Sequence, residues 1–193
     1  MATLLDVDEQ QSKPSETQQA PKAEASQQSQ KNSDKWNADE ILKQHFAQPV
    51  RFITYTGIRD LSKVSAKRYT IWAIDANGKQ VKMGKLEVLF AFPKEKMPDL
   101  KPYVKIRKSV KAENLQSIET VADRYHVDDE VLQEAKASKS DVNIVTRSGH
   151  VLKGWVQHFD KYVLYMRIGE KLVIVYQHGL LDFAIEAQSE DAS

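Results

Sequence analysis

The chain has no cysteine, and its 193 residues include only seven glycines and six prolines. Without a thiol there is no disulfide framework, no thiolate zinc finger, no iron–sulfur site and no cysteine nucleophile. Long apolar runs are missing too. The longest are stretches such as Val88–Phe92 and Leu172–Tyr176, far short of the roughly 20 residues a membrane helix needs. The first nine residues, Met-Ala-Thr-Leu-Leu-Asp-Val-Asp-Glu, have neither a basic start nor an apolar core. No secretion signal is expected, and a soluble cytoplasmic protein without membrane association is the default reading. There is no Gly-rich phosphate loop, no Gly-x-Ser-x-Gly elbow and no paired-carboxylate motif. The five histidines (His45, His126, His150, His158 and His178) lack metal-ligand spacing. His150 and His158 read as solvated strand ends. The expectation is a protein that is not an enzyme and uses no cofactor and no metal.

What is abundant is charge, unevenly placed. Residues 1–35 carry four basic and six acidic side chains, residues 36–127 carry 17 and 10, and residues 128–193 carry 7 and 11. Within the middle third, residues 63–111 hold 13 basic against 4 acidic side chains, net +9. Polyanions are the natural partners of such a stretch, and a solvated surface is the plain alternative.

Residues 1–35 hold seven Gln, five Ser, two Pro and no aromatic residue. They cannot bury enough surface to offset chain entropy, so a disordered tail is predicted, with a second short tail at 187–193. Order is expected from Trp36. Asn37–Phe46 reads as a helix capped by Asn37, with Ile41, Leu42 and Phe46 on one face and Pro49 beyond its end. The period then changes to two over Val50–Tyr55. A polar stretch runs from Arg59 to Arg68. Ala76-Asn77-Gly78 turns between the strands Tyr69–Asp75 and Gln80–Phe92. Tyr103–Val110 reads as a strand with Lys105, Arg107 and Ser109 on one face.

Residues 114–138 read as two helices, Asn114–Tyr125 and one starting after Asp128. Five short strands follow: Asp141–Arg147, His150–His158, Lys161–Arg167, Lys171–Tyr176 and Leu180–Ile185. Strands this short, joined by tight turns, suit a small barrel, because closure removes exposed edges. Gly154 marks a sharp bend. The last two strands read as edge strands open to another copy. The fold is thus mainly β, in four parts after the tail: a basic β domain over 36–113, a helical connector over 114–127, a barrel with its own N-terminal helix over 128–186, and the C-terminal tail.

The stretch Val142–Met166, with the spacing Gly-x4-Gly-x4-Phe-Asp, and the closing Val175-Tyr-Gln-His178 resemble the Sm-like fold, and within it the Hfq family of bacterial RNA chaperones. The resemblance covers about residues 128–186. It implies a ring in which the fourth strand of one subunit pairs with the fifth of the next. It also implies RNA binding on two faces and a rim. On one face a uridine base stacks on an aromatic residue, here Tyr162, beside Asp160 and Lys161 and against the loop Tyr176-Gln177-His178. Gln177 replaces the family lysine, and Lys161 replaces the family glutamine beside the aromatic. On the second face the adenine-stacking tyrosine falls on Val145 and its neighbouring lysine on Val151, so that site is expected to be lost. On the rim Lys136 and Lys139 remain. The middle domain resembles a degenerate second copy, with Gly78 and Gly84 standing for the paired glycines, which gives a tandem Sm-like protein.

The reading is an RNA-binding protein, an Hfq-like chaperone or post-transcriptional regulator that takes single-stranded, U-rich RNA. Tyr162 would stack bases, and Lys105, Arg107, Lys108 and Lys111 would attract phosphates. The alternative is an Sm-like adaptor for protein partners. The acidic C-terminal third, Gln177 and the missing second aromatic favour it for that domain.

Overall fold

The computed structural model describes residues 38–45 and 47–186. The tails expected at 1–35 and 187–193, and the ends of the first helix at Asn37 and Phe46, lie outside the described residues. Helix α1 (Ala38–His45) leads into five strands, β1 (Val50–Thr54), β2 (Gly57–Ala66), β3 (Thr70–Ile74), β4 (Gln80–Gly84) and β5 (Val88–Pro93). Three short elements follow: α2 (Met97–Leu100), β6 (Val104–Ile106) and α3 (Lys108–Ala112). Helix α4 (Asp129–Ser138) then leads into β7 (Asp141–Thr146), β8 (His150–Phe159), β9 (Val163–Ile168), β10 (Lys171–Tyr176) and β11 (Leu180–Ile185). The chain is mainly β and its strand pairings are antiparallel. The strand order is β11-β7-β8-β9-β10-β5-β1-β2-β3-β4, with β6 added to β8. In each run of five, the fifth strand lies beside the first, and the rest follow in sequence.

The two runs share register as well as order. The pairs from Thr70↔Gly84 to Ile74↔Gln80 in the first run match those from Val163↔Tyr176 to Arg167↔Leu172 in the second. A bulge at Leu89 in β5 has its counterpart at Leu181 in β11. The turn after the first strand is built alike in both. Thr54 and Thr146 are buried, and their hydroxyls donate to Gly57 O at 2.7 Å and His150 O at 3.2 Å. Gly57 and Gly149 supply positive φ, +135° and +83°, where a side chain would be strained. Tyr55 N donates to Glu87 O, and at the same place in the second run Arg147 N donates to Gly179 O. A single 3-10 turn, Lys85–Glu87 or Gln177–Gly179, joins the fourth strand to the fifth.

Strands β5 and β10 join the runs through Ile174↔Ala91 and Val175↔Phe90. All six residues of β5 and five of six in β10 are buried. Phe90, Phe92, Val173 and Val175 face one core; Val88, Ala91, Leu172, Ile174 and Tyr176 face the other. This explains the two longest apolar runs, since a strand covered on both faces loses the alternation of a half-exposed one. β10 is therefore not an open edge within this chain: β5 covers it. Of the two strands expected to be edges, only β11 ends the sheet, and the other end is β4.

Three further expectations change. No helix forms over Asn114–Tyr125. That segment holds one 3-10 turn, Val121–Asp123, because Arg124 folds back to donate to Ile118 O and Glu119 O at 2.9 and 2.7 Å. Tyr103–Val110 is not one strand. Arg107 N leaves the ladder for Gly149 O, and Lys111 N then donates to Arg107 O, which starts α3. The polar stretch Arg59–Arg68 is mostly strand β2: Leu61 is buried on one face, while Arg51 grips Asp60 across the ladder at 2.7 and 2.8 Å with Lys94 at 3.0 Å. The Asn77-Gly78 hairpin is borne out, but it joins the third and fourth strands of its run, β3 and β4. The residue in register with Gly149 is therefore Gly57, not Gly78.

Gly154 sits where β8 changes partners. Its first half pairs with β7 and β6, and its second half with β9, beginning at Trp155. A Cβ at 154 would lie 2.2 Å from the carbonyl oxygen of Arg167. Backbone on the far side cannot yield as a side chain can. Gly154→Ala should therefore cost about 3 kcal/mol, the upper end for overpacking, measured as a fall in the urea midpoint. An unchanged midpoint would show that the strand crossing is loose.

Candidate nucleic-acid interface

The turn between β8 and β9 is fixed from inside. Asp160 Oδ1 accepts the backbone N–H groups of Tyr162 and Val163 at 2.7 and 2.9 Å, and Asp160 N donates to Val163 O at 2.9 Å. The carboxylate thus orders the loop and leaves Tyr162 standing outward, 64% exposed. Lys161 Nζ lies 5.8 Å from the centre of its ring. An exposed aromatic face beside a cation is the arrangement on which a base stacks while its phosphate is attracted.

The loop that sequence reasoning grouped with Tyr162 is adjacent and buried. Gln177 N donates to Tyr162 O at 2.8 Å, and Gln177 Nε2 donates to Asp160 O at 2.6 Å. Yet Tyr176, Gln177 and His178 are only 4%, 9% and 9% exposed. Burial, with the Asp160 charge, raises the Tyr176 hydroxyl well above its ordinary range. Burial and the Arg124 charge push His178 down to about 4, against the opposing pull of the Val88 and Leu86 carbonyls. Tyr176, Gln177 and His178 thus lie buried where the two runs meet, bonded through Gln177 to the Tyr162 turn.

The basic residues fall in two other places. Lys136 is half-buried and Lys139 exposed at the end of α4, where Lys139 Nζ lies 5.9 Å over the Trp155 ring. Lys105, Arg107, Lys108 and Lys111 are all exposed along β6 and α3. Lys105 pairs with Val151 in register, so it presents a lysine beside the valine at which the resemblance implies one was lost. Helix α3 docks tightly on the β7–β8 turn: a Cβ at Gly149 would come within 2.8 Å of Arg107 O and 2.9 Å of Lys111 N. His150 lies under this contact. It is half-buried rather than solvated, bonded through Nδ1 to the Ser148 hydroxyl at 2.8 Å and set edge-on to Phe90 at 5.2 Å. Burial and the Lys111 charge hold it at about 4. His158 is likewise half-buried in β8, 5.9 Å from the Tyr165 ring.

Sequence reasoning missed Arg68 and Tyr69. Tyr69 is 68% exposed with the Arg68 guanidinium 4.9 Å from its ring centre. Trp72, nearby, is flanked by Lys82 at 5.5 Å and Lys67 at 5.8 Å. The available signal was the basic-Tyr dipeptide, Arg68-Tyr69 against Lys161-Tyr162, each opening a strand.

The two low histidines set an acid limit on the fold. Unfolded, each takes a proton near 6.5; folded, neither does until about 4. Protonation thus favours the unfolded chain as pH falls through that window, and the stability from neutral burial is complete above it. Asp60, held at about 2 by its hydrogen bond to Arg51, adds a loss only below about 4. The melting temperature should begin to fall below about pH 6.5 in circular dichroism. A flat profile down to about pH 4.5 would contradict this.

Comparison with known proteins bears on the second run. Residues 127–189 match the family model described as Hfq protein. A crystal structure of "the pleiotropic translational regulator, Hfq" aligns with 26% identity over 30% of this chain and 95% of that one, with a TM-score of 0.29. Comparison with curated proteins finds no match. The match spans α4 and the five strands that carry the Asp160–Tyr162 turn, which makes residues 127–189 a domain of the Hfq family, with the Sm-like fold.

Proposed function

We propose that the protein binds single-stranded RNA as an Hfq-like chaperone or regulator, with bases stacked on Tyr162 and phosphates drawn to Lys161 beside it and to the basic row on β6 and α3. The observation that carries this is the exposed Tyr162 ring, held out by Asp160 and flanked by Lys161 within the Hfq-family domain. The exposed row Lys105, Arg107, Lys108 and Lys111 supplies sequence-independent attraction. Tyr162→Ala should weaken binding of a U-rich oligonucleotide by about 1–3 kcal/mol, one stacked base, and leave the salt slope unchanged. Replacing the four basic residues by Gln should weaken every RNA and flatten the slope by about 0.7 per lost phosphate contact. Filter binding at two salt concentrations measures both. Wild-type affinity no better than about 10⁻⁴ M at physiological salt would end the RNA reading and leave that of a protein adaptor.

The same reading extends to the whole chain as two Sm-like units in tandem. The repeated strand order, registers, bulges and turns support it. The β5–β10 junction then stands for a subunit contact made within one chain. The free ends of the sheet, β4 and β11, are the two halves of the same contact, so copies would join head to tail and three would close a ring of six units. Leu86, 38% exposed, occupies the position of the buried His178 and is left for such a neighbour to cover. Carrying the Ala91↔Ile174 register across gives Phe183↔Lys82 between copies. One step along lies Ala184 against Val81, close enough for a disulfide. In this cysteine-free chain, Val81→Cys with Ala184→Cys should give oxidised dimers and trimers on a denaturing gel. A strict monomer in light scattering, with no cross-linked species, would exclude the ring.

Ring closure meets one obstacle in the isolated chain. The Phe183 N–H on the open edge of β11 already donates to the Tyr125 hydroxyl at 3.1 Å. Tyr125→Phe frees that donor and should lower the concentration at which copies assemble. Unchanged assembly would mean that this hydrogen bond does not compete with closure.

A further inference from the structure

We propose that Tyr69 and Arg68 form a second base-stacking site for single-stranded RNA, in the first run and outside the Hfq-family match. The proposal rests on the RNA reading above but on different residues. The β2–β3 turn that carries Tyr69 is hydrogen-bonded like the β8–β9 turn that carries Tyr162. Lys67 N donates to Thr70 O at 2.7 Å, as Asp160 N does to Val163 O. Lys85 N donates to Tyr69 O at 2.9 Å, as Gln177 N does to Tyr162 O. The flanking strands also agree: Ser65↔Trp72 and Ala66↔Ile71 stand where His158↔Tyr165 and Phe159↔Leu164 stand. Each turn thus presents one aromatic ring at the same point of the same framework. Both rings are about two-thirds exposed and both have a cation beside them.

An exposed tyrosine by itself means little. Here the surroundings have also changed in one direction. Where the second turn has Asp160, Lys161 and Gln177, the first has Lys67, Arg68 and Lys85. The three positions of this turn framework are all basic in place of one cation, one acid and one amide: Arg68 lies against the Tyr69 ring, and Lys67 and Lys82 lie over Trp72. An acidic peptide would satisfy the charge but leave the outward ring unused. A nucleotide uses both, the base on the ring and the phosphate on Lys67, Arg68 and Lys85. The first turn is therefore the more salt-dependent of two stacking sites.

The test uses the full chain and an oligouridine bearing 4-thiouridine. Fluorescence anisotropy gives affinities for wild type, Tyr69→Ala, Tyr69→Phe, Tyr162→Ala and Lys85→Gln, and mass spectrometry locates the photocross-links. Tyr69→Ala should bind about 5- to 160-fold more weakly, from the usual worth of one stacked base, with an unchanged melting curve because the side chain is exposed. Tyr69→Phe keeps the ring and should restore binding. Lys85→Gln should reduce the salt slope by about 0.7. Cross-links should fall on the peptide containing Tyr69. If wild type binds, Tyr69→Ala binds equally well and cross-links reach only the Tyr162 peptide, the second site is wrong and the RNA reading stands. If Tyr69→Ala weakens binding while Tyr162→Ala does not, the second site stands and the role of Tyr162 falls. If wild type does not bind, both fall.

Discussion

The pairing of β5 with β10 is the constraint on which the rest of the structure depends. Only Ile174↔Ala91 and Val175↔Phe90 are in ladder register, yet the two strands divide their side chains between both cores. Phe90 and Phe92 stack at 6.1 Å in one, with Val173 and Val175; Ala91, Ile174 and Tyr176 lie in the other. Neither core is complete without residues from both runs. At about 25 cal/mol for each Å² of apolar surface removed from water, separating the runs would expose two strands that have no polar face to turn outward. The junction is therefore a continuation of the hydrophobic interior and not a hinge.

That junction also decides which chemical groups meet solvent. The turns Lys85–Glu87 and Gln177–Gly179 occupy the same place in their runs, but only the second is covered. Leu89 presses on Gly179 so closely that a Cβ there would lie 2.7 Å from its side chain. His178 is consequently a buried neutral ring whose Nε2 has no hydrogen-bond partner among the described residues, while Leu86 stands half-open. The two turns share a 3-10 backbone and differ in exposure, and the neighbouring strand β5 is what covers the second. This is why the Tyr176–His178 loop is buried here, while the adjoining Asp160–Tyr162 turn stays exposed.

Much of the second run was legible in the sequence, because the small barrel there announces itself through spacing. Gly149, Gly154, Phe159 and Asp160 each do a job that few other residues can do: positive φ, strand crossing, core and turn cap. The first run was harder to read. It lacks a counterpart of Gly154, with Leu61 at that register and a bulge near Lys63, which has φ 49°. The Asn77-Gly78 hairpin, the strongest local signal, drew the comparison to the wrong pair of strands. The informative match was shorter: Val50-Arg-Phe-Ile-Thr-Tyr-Thr-Gly57 against Val142-Asn-Ile-Val-Thr-Arg-Ser-Gly149. It is visible once Thr54 and Thr146 are recognised as the buried residues whose hydroxyls close the turn. The helix expected at 114–125 failed for a different reason. Its propensities are local, and Arg124 gains more by bonding carbonyls of its own segment, at Ile118 and Glu119, than a solvated helix offers.

The charge asymmetry acquires a structural meaning from the same topology. Net +9 over residues 63–111 and net −4 over residues 128–193 are not two unrelated patches, because the sheet ends on one strand from each. β4 carries Lys82 between Lys79 and Lys85, and β11 carries Asp182 and leads to Glu186. Lysines on an open edge keep like edges apart: β4 repels β4, while β11 offers opposite charge. The arrangement favours head-to-tail contact over head-to-head contact before any side chain packs. It also separates labour between the runs. The acidic run holds the better-ordered aromatic turn, with a carboxylate inside it. The basic run holds the turn with more positive charge about it, Lys67, Arg68 and Lys85. On the proposed RNA reading, attraction is set by the basic run and base contact is shared by both.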